Sequence, residues 1–281
     1  EISIFMKKFF TTVLSLLAIG LSVQAQFYYR DIISNKQLLA EMAIYRENKV
    51  RSIKIKSFED DGSESDGFFC EKTISKDYRK TELFTRSNIS GISLFISLFN
   101  DKGQLISTSD SSEIAVSVNK YSYDNEGRIV SILSVIKSSD DDFTNEIQEE
   151  HIYVYNSNNL PEKMIRVKNK YDSIAIFFAL DENNNLGIEK DSKNGFKYYY
   201  YYDNKNRITD IVHSNDATTK LLPDYLFEYN NAGQLVQMTN TEEGGSNYIV
   251  WKYSYDNGLR NREKCYSKER KLMGSIEYEY N

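Results

Sequence analysis

The stretch Tyr121-Ser122-Tyr123-Asp124-Asn125-Glu126-Gly127-Arg128-Ile129 decides how this chain is read. Aromatics two positions apart lie on one face of a strand. An Asp that opens a turn accepts backbone N–H bonds from the residues after it. Three positions later, Gly supplies the positive φ that lets the chain rejoin a returning strand. Ile129 then opens that strand, so the nine residues spell strand, tight turn, strand.

The spelling recurs. Tyr200 to Ile208 and Phe227 to Leu235 are full copies, and Ser97 to Leu105 and Phe178 to Leu186 are weaker ones. Tyr153 to Leu160 lacks one residue after its turn, Tyr253 to Gly258 is one residue short within it, and Tyr278 to Asn281 holds only the opening. The turn slot is filled by Gly103, Gly127, Asn159, Asn184, Asn206 and Gly233, the residue types that best tolerate left-handed backbone. On the returning strands, Ile129 and Ile132, Ile208 and Ile211, and Leu235 and Met238 sit three apart. Either both faces are partly buried or a bulge follows the turn.

A period of this size specifies a repeat architecture. The expected fold is all-β: tandem antiparallel hairpins over residues 93–281 forming an open, twisted or curved sheet. The alternative is a small closed, propeller-like array. Residues 26–92 depart from the repeat and read as a capping segment. Asn35 would cap a helix from Lys36 to Arg46 with Leu38, Leu39, Met42 and Tyr45 on one face. Strands are expected at Val50–Phe58, Gly67–Ile74 and Leu94–Phe99, with a turn at Glu59–Gly62.

These units resemble the YD repeats of the RHS family. Tyr123 to Ile129 is close to the family's Tyr-Asp-x-x-Gly-Arg-Leu core, and Tyr202-Asp203 with Arg207-Ile208 fits with Asn206 in place of Gly. The resemblance covers residues 93–281. It implies repeat architecture and an envelope or extracellular setting, and it transfers no active site. Large members wrap long arrays into a hollow shell around a toxin. This chain has too few units for that and shows no protease or toxin segment.

The N-terminus reads as an export signal: Lys7-Lys8, an apolar run from Phe9 to Leu21, then Val23-Gln24-Ala25 as a cleavage site. The signal spans residues 1–25, with residues 1–5 as upstream read-through before Met6. The exported chain is expected to start at Gln26, as in small secreted proteins of Bacteroidetes-type bacteria, which this leader resembles. No other apolar run approaches membrane length, so no span is expected in the mature chain. The expected location is periplasmic, cell-surface or extracellular. The last residues open a repeat that has no turn, which suggests a partial reading frame.

Composition narrows function. Against 35 Lys+Arg stand 41 Asp+Glu, a net charge of −6, which argues against a nucleic-acid partner. The 22 Tyr and 15 Phe supply the burial that a 40% hydrophobic chain needs. Catalytic residues, metal ligands and cofactors are expected to be none: the chain lacks a nucleophile elbow, a zinc helix, a phosphate-binding glycine loop and a Cys-x-x-Cys pair. Asp140, Asp141 and Asp142 lack the spacing of a calcium loop and read as a solvated loop. Glu149 and Glu150 read as surface acids. Cys70 and Cys265 are expected to be unbonded, because an open array would hold them far apart.

The tyrosines carry the remaining functional potential. Tyr121, Tyr123, Tyr200, Tyr202, Tyr253 and Tyr255 would form ladders across stacked hairpins. They either build the core of a thin β-structure or leave one ladder open to stack on sugar rings. Arg128 and Arg207 are expected to pair with Asp on the next hairpin. The expected function is a non-catalytic exported scaffold with a structural or interaction role. The alternative is a carbohydrate- or cell-wall-binding module. The matching partners are another surface protein or an envelope glycan.

Overall fold

The computed structural model describes residues 26–139, 146–214, 221–242 and 246–281. The export signal at 1–25 and the acids Asp140, Asp141 and Asp142 lie outside the described residues. The strands are β1 (Ser52–Glu59), β2 (Phe69–Ile74), β3 (Lys80–Ser87), β4 (Gly91–Phe99), β5 (Leu105–Ser112), β6 (Ala115–Tyr123), β7 (Ile129–Ser138), β8 (Glu146–Tyr155) and β9 (Pro161–Lys168). They continue as β10 (Asp172–Leu180), β11 (Leu186–Asp191), β12 (Lys197–Tyr202), β13 (Ile208–Ser214), β14 (Leu222–Tyr229), β15 (Leu235–Thr241), β16 (Tyr248–Asp256), β17 (Leu259–Ser267) and β18 (Leu272–Tyr280).

Each aromatic-x-aromatic-Asx unit ends one strand and turns into the next. The turn residues Gly103, Gly127, Asn159, Asn184, Asn206 and Gly233 have φ between 58° and 85°. After every one of these turns the register shifts by one residue. Tyr123 faces Ile129 while Ser122 faces Ser131, leaving Val130 as the extra residue of a bulge. Tyr202 and Ile208 repeat this with Thr209 extra, and Tyr229 and Leu235 with Val236 extra. A bulge puts residues three apart on the same face. That settles the spacing left open by the sequence: Ile129 and Ile132 are both buried, as are Ile208 and Ile211.

The sheet is closed, which corrects the expected open array. Successive strands pair antiparallel all along the chain, and β1 pairs with both β2 and β18, from Ile53↔Tyr280 to Glu59↔Gly274. The 18 strands therefore form one meandering barrel rather than separate propeller-like blades. The open reading fails because it counted only the strands of residues 93–281. Residues 26–92 supply β1 to β3, which complete the ring, so no strand edge is left bare.

Residues 26–92 also supply the filling. A π-helical turn, Tyr29–Ile33, runs straight into helix α1, Ser34–Glu47. Asn35 is not the cap, because the residues before it are already helical; it lies buried within the helix. Met42 and Tyr45 are buried, with Leu38 and Leu39 packed on the same cluster. This segment touches strands on all sides of the ring. Phe27 and Ile32 pack with buried residues of β7 to β10, Tyr28, Tyr29 and Ile33 with β10 to β15, and Met42 and Tyr45 with β1, β2 and β16 to β18. The helix therefore lies inside the barrel, and the core is the space between it and the wall.

Cys70 on β2 and Cys265 on β17 are free and buried in one apolar cluster. Strands β1 and β18 stand between them, so two strands rather than the length of an array keep them apart.

Candidate functional site

The bulge creates a repeated inward slot, three residues after the residue that pairs with the last aromatic position of each unit. It holds Thr108, Ile132, Met164, Ile211 and Met238, but on β11 and β17 it holds Glu189 and Glu263. These two carboxylates organise the polar chemistry of the lumen.

Glu189, 1% exposed, grips the N-terminal segment. Its Oε1 accepts the Phe27 N–H at 3.0 Å, and its Oε2 accepts the Tyr28 N–H at 3.0 Å and the Tyr200 hydroxyl at 2.9 Å. Burial drives its carboxyl up, the three donors oppose this, and the balance leaves it at about 7. Glu263 accepts from Arg260 Nη1 at 2.8 Å and from the Tyr278 hydroxyl at 2.7 Å.

A second centre joins the helix to β8. His151 Nδ1 lies 2.6 Å from Asp31 Oδ2, and Nε2 lies 2.8 Å from Glu149 Oε1. The Tyr153 hydroxyl donates to the same Asp31 oxygen at 2.8 Å. Burial pulls the imidazole down, but the two carboxylates outweigh it and hold it at about 9. Burial raises Glu149, but the hydrogen bond and charge of His151, with Lys168, bring it to about 2. Glu149 is therefore part of the luminal network rather than a surface acid. With both ring nitrogens held by carboxylates, His151 has none left to act as a base on a substrate.

The cysteines are equally poor nucleophiles. Burial raises the Cys70 thiol, and burial with Glu263 nearby pushes Cys265 up to about 12. Among the described residues no group of three or more His, Cys, Asp or Glu side chains could hold a metal ion.

The candidate tyrosines line the barrel wall with their hydroxyls engaged. Tyr200 and Tyr253 are buried and Tyr121, Tyr123, Tyr202 and Tyr255 half-buried. The second tyrosine of a unit donates to a carbonyl at the start of the preceding returning strand. Tyr123 reaches Leu105 at 2.8 Å, Tyr155 reaches Ile129 at 2.8 Å, Tyr202 reaches Leu186 at 3.1 Å and Tyr229 reaches Ile208 at 2.9 Å. Tyr255 reaches Leu235 at 2.8 Å and Tyr280 reaches Arg260 at 2.6 Å. Each hairpin is thus stapled to the one before it.

The arginines follow the same logic. Arg128 pairs with Asp124 and Arg207 with Asp203, each within its own turn rather than on the next hairpin. The guanidinium then lies over the next hairpin's tyrosine, 4.5 Å from the Tyr155 centroid and 4.6 Å from that of Tyr229.

Sequence reading missed Glu189, Asp31 and the helix-to-wall network. The signal was present in the repeat itself: an acid stands at 189 and 263 where other units place Ile, Met or Thr.

No family model matches this chain, and no curated protein matches it. Among solved structures it is similar to a porin-like protein from Bacteroides uniformis, with TM-score 0.38 and 10% identity over 83% of this chain and 96% of that one. A porin-like protein from Bacteroides vulgatus gives TM-score 0.30 and 13% identity over 83% and 98%. The Photorhabdus luminescens Tc holotoxin pore gives TM-score 0.30 and 11% identity over 84% of this chain but 17% of that one. Likenesses this distant carry no argument about what the chain does.

Proposed function

We propose that this protein is a non-catalytic, exported scaffold that works through its outer surface, at the cell envelope or outside the cell, and that its hairpins are YD-type units. One observation carries the reading: the lumen is occupied by the chain's own residues, from Phe27 to Tyr45. A barrel whose lumen holds its own helix offers its wall and rims as the surfaces for interaction.

The polarity of the wall at the closing seam supports a non-spanning role, whereas on β4 to β6 Ile92, Leu98, Ile106 and Val116 are exposed while Ser97 and Thr108 are buried. A membrane-spanning barrel is apolar outside and polar inside. At the seam Ile53, Ile55 and Ile276 face in, while Lys54, Lys56, Arg262, Glu277 and Glu279 alternate with inward residues and face out. Lys56 pairs with Glu279 at 2.5 Å and Arg262 with Glu277 across this exposed surface. Hydrocarbon on this side of the ring would strip those charges of water. The engaged tyrosine hydroxyls and covered rings favour the scaffold over a ladder that stacks on glycans.

The test is photocrosslinking in source cells from outward positions. Ile114 and Tyr171, 81% and 90% exposed, are the best-placed tips. The scaffold reading expects adducts with an envelope or extracellular macromolecule. Recovery of the protein in the cytoplasm, or turnover in a panel of hydrolase substrates, would overturn it.

A further inference from the structure

The repeat shows where the barrel departs from its own pattern. In six units the Asx side chain is used up by its own turn. Oδ1 of Asn100, Asp124, Asn156, Asp181, Asp203 and Asn230 each accepts the backbone N–H of the residue four positions on. Asp256 and Asn281 occupy the same slot at the ends of β16 and β18. After β16 the turn is only Asn257-Gly258, so Leu259 pairs directly with Asp256 and that N–H contact does not form. Asn281 bonds to Arg51 and Ser52 through its backbone. Among the described residues, the side chains of Asp256, Asn257, Asn261 and Asn281 make no hydrogen bond, and all four residues are exposed.

These four groups meet. They line a cleft of about 400 Å³ at the rim, between the β16–β17 turn and the closing seam, together with Tyr278 and Tyr280. The two tyrosine hydroxyls are spent on Glu263 and the Arg260 carbonyl, so the tyrosines offer the cleft apolar surface. Val50 and Leu259 extend that surface.

The chemistry of the lining selects a ligand class. No Lys or Arg lines the cleft, so it does not suit an anion. One carboxylate is too little for a divalent cation, which takes six or more oxygen ligands. A carboxamide donates two hydrogen bonds and accepts through its oxygen. Adjacent sugar hydroxyls also donate and accept, and the C–H face of a sugar ring packs on aromatic and aliphatic surface. We propose that this seam cleft binds a neutral saccharide. The proposal rests on the scaffold reading and adds a ligand class to it. The site lies at the last rung of the tyrosine row, Tyr278 and Tyr280, and uses none of Tyr121, Tyr123, Tyr200, Tyr202, Tyr253 and Tyr255.

A ligand here would bridge β16, β17, β18 and the link from α1 to β1, so its binding would hold the ring closed and raise the melting temperature. The experiment follows melting of the chain from Gln26 onward with glucose, galactose, N-acetylglucosamine and their disaccharides, and separately with calcium chloride. Asn261→Ala and Asp256→Ala remove groups that bond to nothing in the fold, and Asn125→Ala, in another exposed turn, is the control. At least one sugar is expected to raise the melting temperature, with affinity about five- to tenfold weaker in Asn261→Ala and unchanged in Asn125→Ala. The site is overturned if no sugar acts, if Asn261→Ala and Asp256→Ala respond like the parent, or if calcium alone shifts melting and a chelator reverses it. Chromatography of the same samples separates the two readings. Sugar turnover sinks the non-catalytic scaffold, whereas absent binding with no turnover sinks only the cleft.

Discussion

Glu189 and Phe27, 162 positions apart, are joined by a 3.0 Å bond from the Phe27 N–H to the buried Glu189 carboxylate. The neighbouring Tyr28 N–H takes the other carboxylate oxygen. Together they fix the start of the luminal segment against β11. Glu189→Ala strands both N–H groups and the Tyr200 hydroxyl in the core, which costs about 2–4 kcal/mol, read as a fall in the urea midpoint. The pH dependence has a defined sign. The folded carboxyl, at about 7, sits above its ordinary 4.5. Stability therefore falls as pH rises from 4.5 to about 7 and levels off above, while Glu189→Gln removes this slope.

His151 makes the opposite demand on the charge state. Its folded value of about 9 lies above the ordinary 6.5. Its contribution is full below pH 6.5 and is lost as pH rises through 9, a change of about 3 kcal/mol. Urea titrations at pH 6 and pH 10 should show a loss about 3 kcal/mol larger in the parent protein than in His151→Gln, which keeps only the loss due to Glu189 and other groups. An equal slope in both would remove the Asp31–His151–Glu149 network from the account of stability.

The tyrosine staples should behave as separate, modest bonds. Tyr155→Phe and Tyr229→Phe each delete one hydroxyl-to-carbonyl bond, to Ile129 and Ile208. Each is expected to cost about 1 kcal/mol, and the double variant about the sum, since the sites share no partner. Phe99, buried in the same slot without a hydroxyl, shows that the position tolerates the ring alone. A double variant as stable as the parent would mean the hydroxyls only accompany the packing.

The hairpins were legible because each slot of the repeat has a local cause: paired aromatics, an Asx acceptor, a residue tolerant of positive φ. Closure was not. It depends on β1 meeting β18, a contact between residues such as Ile55 and Tyr278 that no local pattern encodes. The filled lumen was hidden for a similar reason. The helix around Met42 was visible in the sequence, but its location inside the ring follows from single long-range bonds at Glu189 and His151. The polar centres were readable in principle, since Glu189 and Glu263 put a charge into a slot that holds Ile, Met or Thr elsewhere. That slot became recognisable only once the bulge after each turn had fixed which residues face inward.

Hydrogen exchange followed by mass spectrometry tests the closed, self-filled barrel most directly. The account predicts that peptides covering Phe27–Glu47, Ser52–Glu59 and Leu272–Tyr280 are protected as strongly as the mid-barrel strands β8 to β14, and that all of them open together. Exchange of Phe27–Glu47 within seconds would show that the segment is not held inside. Rapid exchange along β1 and β18 would show that the ring does not close.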